Sequence, residues 1–375
     1  MACGHEPLPE PPITVDASTT EAREDSLALA AAYAGQALIE PSVTAKVETA
    51  SARATSLEDA ADDPAIWRHP TDPARSLIFG SNKTGGMAVY DLSGAEKVYY
   101  PIGKINNIDI LTGVPLGNST ITLLGCSNRT DQSVDLFSID LETGELTNVA
   151  ADALLVDSTE IDDIYGFCLG RSGAKAYAII NGKNGRMQQF ALAETAGKFG
   201  LELVRDVAFD SQTEGMVADS ELGWLYVGEE GRGIWKLPLD PINDQAGTQV
   251  QRMVREADVA TNPALVADVE GITLAREPGG KGYLVASIQG NFSYAVFDRA
   301  GDNTYRGSFK ITTGTACDGV EETDGLEVVT EDFGPEFPNG LLVAQDGFNF
   351  AGDSLVPQNF KLVDWGSVLV ELGLR

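Results

Sequence analysis

Histidine is almost missing: the 375 residues contain two, His5 and His69, which argues against proton transfer between a histidine acid and a histidine base and against histidine-rich zinc sites. Cysteine is nearly as sparse. Cys3, Cys126, Cys168 and Cys317 stand far apart with no CxxC pair, so thiolate clusters and dithiol redox motifs are disfavoured; the cysteines read as buried free thiols, and pairing of Cys126 with Cys168 stays open. Bases are outnumbered, with 26 Lys and Arg against 56 Asp and Glu and a formal charge of −30. Such a surface repels nucleic acid and anionic membrane and attracts cations. No run approaches the roughly 20 apolar residues of a membrane-spanning helix. No G-x-x-x-x-G-K-[ST] loop, Cys-x5-Arg loop, Arg-His-Gly motif or EF-hand loop occurs. P-loop chemistry and the familiar phosphatase nucleophiles are therefore excluded, and any metal site must be assembled from separate segments.

What is present is a 43% apolar fraction, enough for a large core, and 40 glycines. Thr, Val, Ile and Tyr recur in short runs bounded by Gly, Asn and Asp, a β-rich signature. Residues 1–45 differ. A Pro-rich leader, "MACGHEPLPEPP", precedes "TEAREDSLALAAAYAGQALIE", whose Ala and Leu content predicts a helix in an extension outside the main fold. Ala2-Cys3-Gly4 reads as the remnant of a bacterial lipoprotein cleavage site, which implies an exported protein: periplasmic, secreted or lipid-tethered.

From residue 46 to 375 the chain repeats itself. Six segments share one plan of apolar strand, polar turn and second strand, among them "SLIFGSNKTGGMAVYDLSG", "KAYAIINGKNGRMQQFALA" and "KGYLVASIQGNFSYAVFDRAG", spaced by about 45 to 60 residues. Upstream of each, a polar residue leads into an apolar run: "DDPAIW", "NNIDIL", "DIYGFCL", "TEGMVA", "VEGITLA" and "TDGLEVV". The reading is an all-β protein, a six-bladed β-propeller with a partly helical N-terminal extension.

The inner strands of a propeller line one channel, so their leading residues meet at one mouth. Here these are Asp62 and Asp63, Asn107 and Asp109, Tyr165, Glu214, Asp268 and Glu270, and Asp324. Turn preference explains any one of them. It does not explain a carboxylate at five of six matching positions, which would repel without cations between them. Oxygen ligands without His or Cys favour Ca2+ over softer ions, and a loose carboxylate ring suits Ca2+ better than Mg2+. The following turns carry Lys83, Arg129 and Lys183 in the first three blades, then Glu229 and Glu230, Gln289, and Gln345 with Asp346. Bases beside a calcium-binding mouth suit an anion that also meets the metal, and phosphate fits.

The stretches "DAADDPAIW", "GKINNIDI", "CSNR", "YGF", "SQTEGM", "DVEGIT", "TDGLEV", "LLVAQDG" and "QNFKLVDW" resemble, in order from about residue 48 to 370, the β-propeller phytases. The resemblance implies a calcium-dependent hydrolase of myo-inositol hexakisphosphate with several Ca2+ ions, structural and catalytic. It assigns Asp62, Asp63, Asn106, Glu214, Glu230, Asp268, Glu270, Asp318 and Asp324 to the calcium cluster, with Asn107 and Asp109 as nearby candidates. Lys83, Arg129, Tyr165, Lys183 and Gln289 would contact phosphate. Two departures, Thr84 after Lys83 and Asn184 after Lys183, imply a weaker or retuned grip on a second phosphate, and Glu48 is the nearest candidate for an upstream calcium ligand. The implied chemistry is in-line attack by calcium-bound water with no phospho-enzyme. Glu214 is expected to orient that water, and Asp62, Glu270 and Asp324 complete the catalytic group. The partner is a small molecule and the protein is read as a monomer. Two rivals remain: a calcium-dependent propeller lactonase or sugar esterase, which has no use for Lys83, Arg129 and Lys183, and a non-catalytic calcium-binding surface propeller.

Overall fold

Alternation along a strand sends successive side chains to opposite faces of a sheet, and this fold buries both faces. The computed structural model describes residues 20–56, 58–241, 251–252 and 262–375. Within them the repeats form six antiparallel sheets. Their first strands are Ala61–Trp67, Ile105–Leu116, Ile164–Ser172, Thr213–Asp219, Val269–Glu277 and Leu326–Val329. Each touches the first strand of the next sheet, and the sixth touches the first. The ring is closed, and the molecule is a six-bladed β-propeller, as its repeats predict.

In blade one, Ile66, Ile78 and Ala88 face Val343 and Leu362 of blade six. Their strand neighbours Ala65, Phe79 and Val89 face Ile108 and Leu124 of blade two. The same division holds at each junction, giving one apolar cluster between every pair of blades. Burial of each large aliphatic or aromatic side chain there stabilises the ring by roughly 1.5–3 kcal/mol.

Closure joins the two ends of the chain. Val47–Glu48 is the outer strand of blade six, antiparallel to Asn359–Asp364, with Val47 opposite Leu362 and Glu48 opposite Lys361. Ser42–Thr44 adds a parallel fifth strand to blade five, so the chain joins the propeller at Ser42. The expected N-terminal helix is present as Thr20–Gln36. Ala2-Cys3-Gly4 lies outside the described residues. Cys126, Cys168 and Cys317 are buried free thiols, and burial pushes the first two well above the ordinary thiol range. Buried His69 accepts the amides of Thr71 and Asp72 at 3.3 and 3.0 Å, a turn-forming role. Among the described residues, no helix is long and apolar enough to cross a membrane.

Candidate active site at one mouth of the channel

Five of the inner strands lose register with their neighbours at the same place: between Ala61 and Pro64, Ile105 and Ile108, Ile164 and Phe167, Thr213 and Met216, and Val269 and Ile272. The residues inside these bulges are Asp62-Asp63, Asn106-Asn107, Tyr165-Gly166, Glu214-Gly215 and Glu270-Gly271, and Asp324-Gly325 precedes the sixth strand. A bulge releases its pair from the ladder and re-aims the side chains. The glycines then let neighbouring blades close up. A Cβ on Gly166 would lie 2.0 Å from the carbonyl oxygen of Glu214, and one on Gly215 would lie 2.0 Å from that of Glu270. The amides of Gly271 and Gly325 donate to the carbonyls of Asp324 and Asp62 at 3.2 and 3.1 Å.

Carboxylates converge where this ring opens. Glu214, Glu230 and Glu270 each place an oxygen within 4.8 Å of the others. Asn106 donates through Nδ2 to Glu214 Oε1 at 2.8 Å and to Asn107 Oδ1 at 2.9 Å. Gln289 donates to Asp324 Oδ1 at 2.6 Å, and Gln345 accepts the Asp324 amide. Asp62 Oδ2 and Glu270 Oε2 are buried with no hydrogen-bond partner. Hard oxygens gathered from several blades, two of them orphaned, fit a hard divalent cation.

The bases border this cluster. Lys83 Nζ lies 2.7 Å from Asp59, 3.2 Å from Asp324 and 3.4 Å from Asp62. Burial alone would lower its pKa, but Asp62, Asp324 and Asp59 outweigh burial and hold the ammonium charged. Arg129 pairs with Asp163 at 2.6 Å and reaches Asn106 Oδ1 at 3.4 Å. Lys183 Nζ stands 4.6 Å from the centre of the Tyr165 ring and the Arg129 guanidinium 5.7 Å from it. Both cations thus stand against the Tyr165 ring, and burial followed by Glu214 and Glu270 keeps its hydroxyl protonated. Thr84 is tied to Asn82 of its own turn at 2.6 Å, and Asn184 donates to the Glu160 carbonyl of the preceding loop at 2.9 Å.

Other expected residues lie elsewhere. Asp109 accepts the amides of Ile110 and Leu169, both at 2.7 Å, and lines the channel interior. Asp63 accepts the Ile108 amide at 3.1 Å. Glu229 is fully buried and bonds Ser211 and Trp235. Asp318 meets Glu48, Asp346 and Asn349 around the buried Lys361 ammonium of blade six, which lies 2.6 Å from Glu48, 3.2 Å from Asp346 and 3.0 Å from Asn349. Asp59, Asp163 and Lys361 escape a reading of leading residues. Asp59 and Asp163 do stand just ahead of leading pairs, but Lys361 is recognisable only through its contacts.

Burial, then neighbouring acids, pushes Asp62 and Glu270 well above the carboxylate range. Burial and Asp268 raise Glu230 to about 7, and burial raises Asp324 to about 6 against the pull of Lys83. With chelator present, the folded state holds more protons than the unfolded chain between about pH 4 and 7, so stability falls as pH rises through that window. A chelated sample should therefore melt at a higher temperature near pH 5 than near pH 8, by several degrees. Melting temperatures that climb over this interval would contradict this account of the cluster.

Sequence comparisons point to one family. A family model described as phytase matches residues 16–374. The 3-phytase of Bacillus subtilis (strain 168) is 40% identical over 336 residues, covering 88% of this chain and 85% of that protein. Solved structures align more loosely. BBS1N in complex with ARL6DN shows a TM-score of 0.46 and 9% identity, covering 82% of this chain and 80% of that one. Nidogen in its laminin complex shows 0.43 and 13%, covering 76% and 97%. With the family model spanning nearly its whole length and a curated 3-phytase at this identity, the chain belongs to the phytase family.

Proposed function

We propose that this mouth hydrolyses the phosphate monoesters of myo-inositol hexakisphosphate with calcium as its metal. The observation that carries the reading is the meeting of carboxylates and cationic side chains at a single mouth, with buried carboxylate oxygens still unpartnered. Asp62, Glu214, Glu230, Asp268, Glu270 and Asp324 would hold the ions. When bound, calcium neutralises these acids and makes water a better nucleophile. Lys83, Arg129 and Lys183 grip the phosphate oxygens, with Tyr165 donating its hydroxyl and Gln289 its amide. Glu214, held by Asn106, orients the water and takes its proton as oxygen attacks phosphorus. The phosphorus–ester bond breaks, the inositol oxygen leaves with a proton taken from solvent water, and Glu214 returns the proton it took to solvent. We also read the protein as a monomer, because a net charge of −30 drives copies of the chain apart.

The test is inorganic phosphate released from calcium phytate at neutral to mildly alkaline pH. Excess chelator should abolish release, and Lys183→Ala should raise KM about tenfold by removing one charged phosphate contact. Lactone opening without phosphate release would favour the esterase reading, and calcium binding without either reaction would leave a scaffold.

A further inference from the structure

The helix Thr20–Gln36 belongs to no blade, yet it is fastened beside the mouth. Leu29, Ala32 and Tyr33 pack on Phe292 and Phe348, with the Tyr33 and Phe292 rings edge to face at 5.2 Å. Gln36 donates to the Phe292 carbonyl at 3.2 Å. Gly35 comes close enough that a Cβ there would lie 2.8 Å from Cβ of Asn291. Phe292 ends the short 3-10 turn Gln289–Asn291, and this turn presents Gln289 to Asp324. The helix therefore grips the segment that carries a rim residue.

Between the helix, the turn and the rim lies a cavity of about 340 Å3, lined by Asp25 and Ala28 of the helix and by Asp268, Gln289 and Glu322. Among the described residues its charged side chains, Asp25, Asp268 and Glu322, are acidic, whereas Lys83, Arg129 and Lys183 stand on blades one to three. The mouth is thus uneven: Lys83, Arg129 and Lys183 stand among acids on blades one to three, whereas the described charges that wall this cavity are acidic. A ring held by its reacting phosphate at these bases extends its remaining phosphates toward the wall, because the six substituents surround the ring. A small monoester has nothing to place there.

We propose that this helix is a specificity element of the hydrolysis, in which Asp25 governs affinity for a polyphosphorylated ring by charge and Ala28 by the room it leaves. The proposal rests on the rim being the phosphate-cleaving site. It predicts opposite effects from two exposed positions: Asp25→Lys draws the polyanion closer, and Ala28→Trp fills the cavity.

The test has two readouts in calcium buffer: calorimetric binding of myo-inositol hexasulfate, which offers no phosphate to lose, and the ratio of KM for the hexakisphosphate to KM for phenyl phosphate. Asp25→Lys should lower both the hexasulfate Kd and the KM ratio about threefold to tenfold, a change set by reversing one screened charge near the ligand. Ala28→Trp should raise both by a similar factor, with kcat for the hexakisphosphate within about twofold of wild type in each variant. Glu371→Lys, which adds the same charge at the end of the C-terminal helix Trp365–Glu371, controls for net charge. The proposal is overturned if either variant leaves the Kd and the ratio unchanged, or if Glu371→Lys matches Asp25→Lys. A wild-type protein that releases no phosphate from the hexakisphosphate would instead overturn the assignment of the rim.

Discussion

Glu214→Gln is expected to lower kcat by about a thousandfold while raising the melting temperature of the chelated protein. Both effects follow from the position of this carboxylate. Its negative charge is among the causes that push Asp62, Asp63, Glu230, Asp268, Glu270 and Asp324 upward, so it is the repulsive neighbour those acids share. Glutamine keeps an oxygen to accept the Asn106 amide, now at 2.8 Å, and preserves the shape of the site. It removes the charge that attracts a cation and the base that takes a proton. Without metal, one fewer charge in the cluster relieves repulsion, so the variant should melt a few degrees higher in chelator. With calcium, it should gain less stability than wild type, since the ions bind more weakly. A variant that keeps wild-type kcat would remove Glu214 from the mechanism, and one that melts lower in chelator would remove it from the centre of the repulsion.

Gly215→Ala is expected to destabilise the propeller by roughly 2–3 kcal/mol or more. The added Cβ would meet the Glu270 carbonyl oxygen at 2.0 Å, a backbone atom that cannot swing aside. Glu270 is itself held in the ring, because the amide of the following Gly271 donates to Asp324. The strain would pass directly into two of the carboxylates that gather for the metal, so activity should fall further than stability alone explains. Gly231 is a suitable control, since nothing lies within 4 Å of a Cβ placed there and its alanine variant should unfold within about 0.5 kcal/mol of wild type. Equal urea midpoints for the two variants would show that the blades can separate at Gly215 without penalty.

Blade number and the polar residues that lead each inner strand were legible because they depend on local chemistry repeated in chain order. Alternation marks the strands, and Gly, Asn and Asp mark the turns. The leading pairs in "DIYGFCL", "TEGMVA", "VEGITLA" and "TDGLEVV" were visible as a pattern. Their shared bulge was not, because a register shift is a relation between two strands. Asp109 shows the consequence: it follows the Asn106-Asn107 bulge rather than lying in it, and its carboxylate turns to the amides of Ile110 and Leu169. Asp318, which the resemblance assigns to the calcium cluster, is drawn to Lys361 with Glu48, across a sheet that unites the two ends of the chain.

By itself the amino-acid order determined a β-propeller of six repeats, an excess of acids needing cations, and bases at matching positions of the first three turns. Those properties are periodic or compositional, and each can be read within a few residues. Only the tertiary structure decided which acids face one another, that Lys83 stands among three of them, and that the N-terminal helix walls the mouth. These depend on ring closure and on contacts between residues hundreds of positions apart, such as Gln36 with Phe292 and Glu48 with Lys361, which no local pattern encodes.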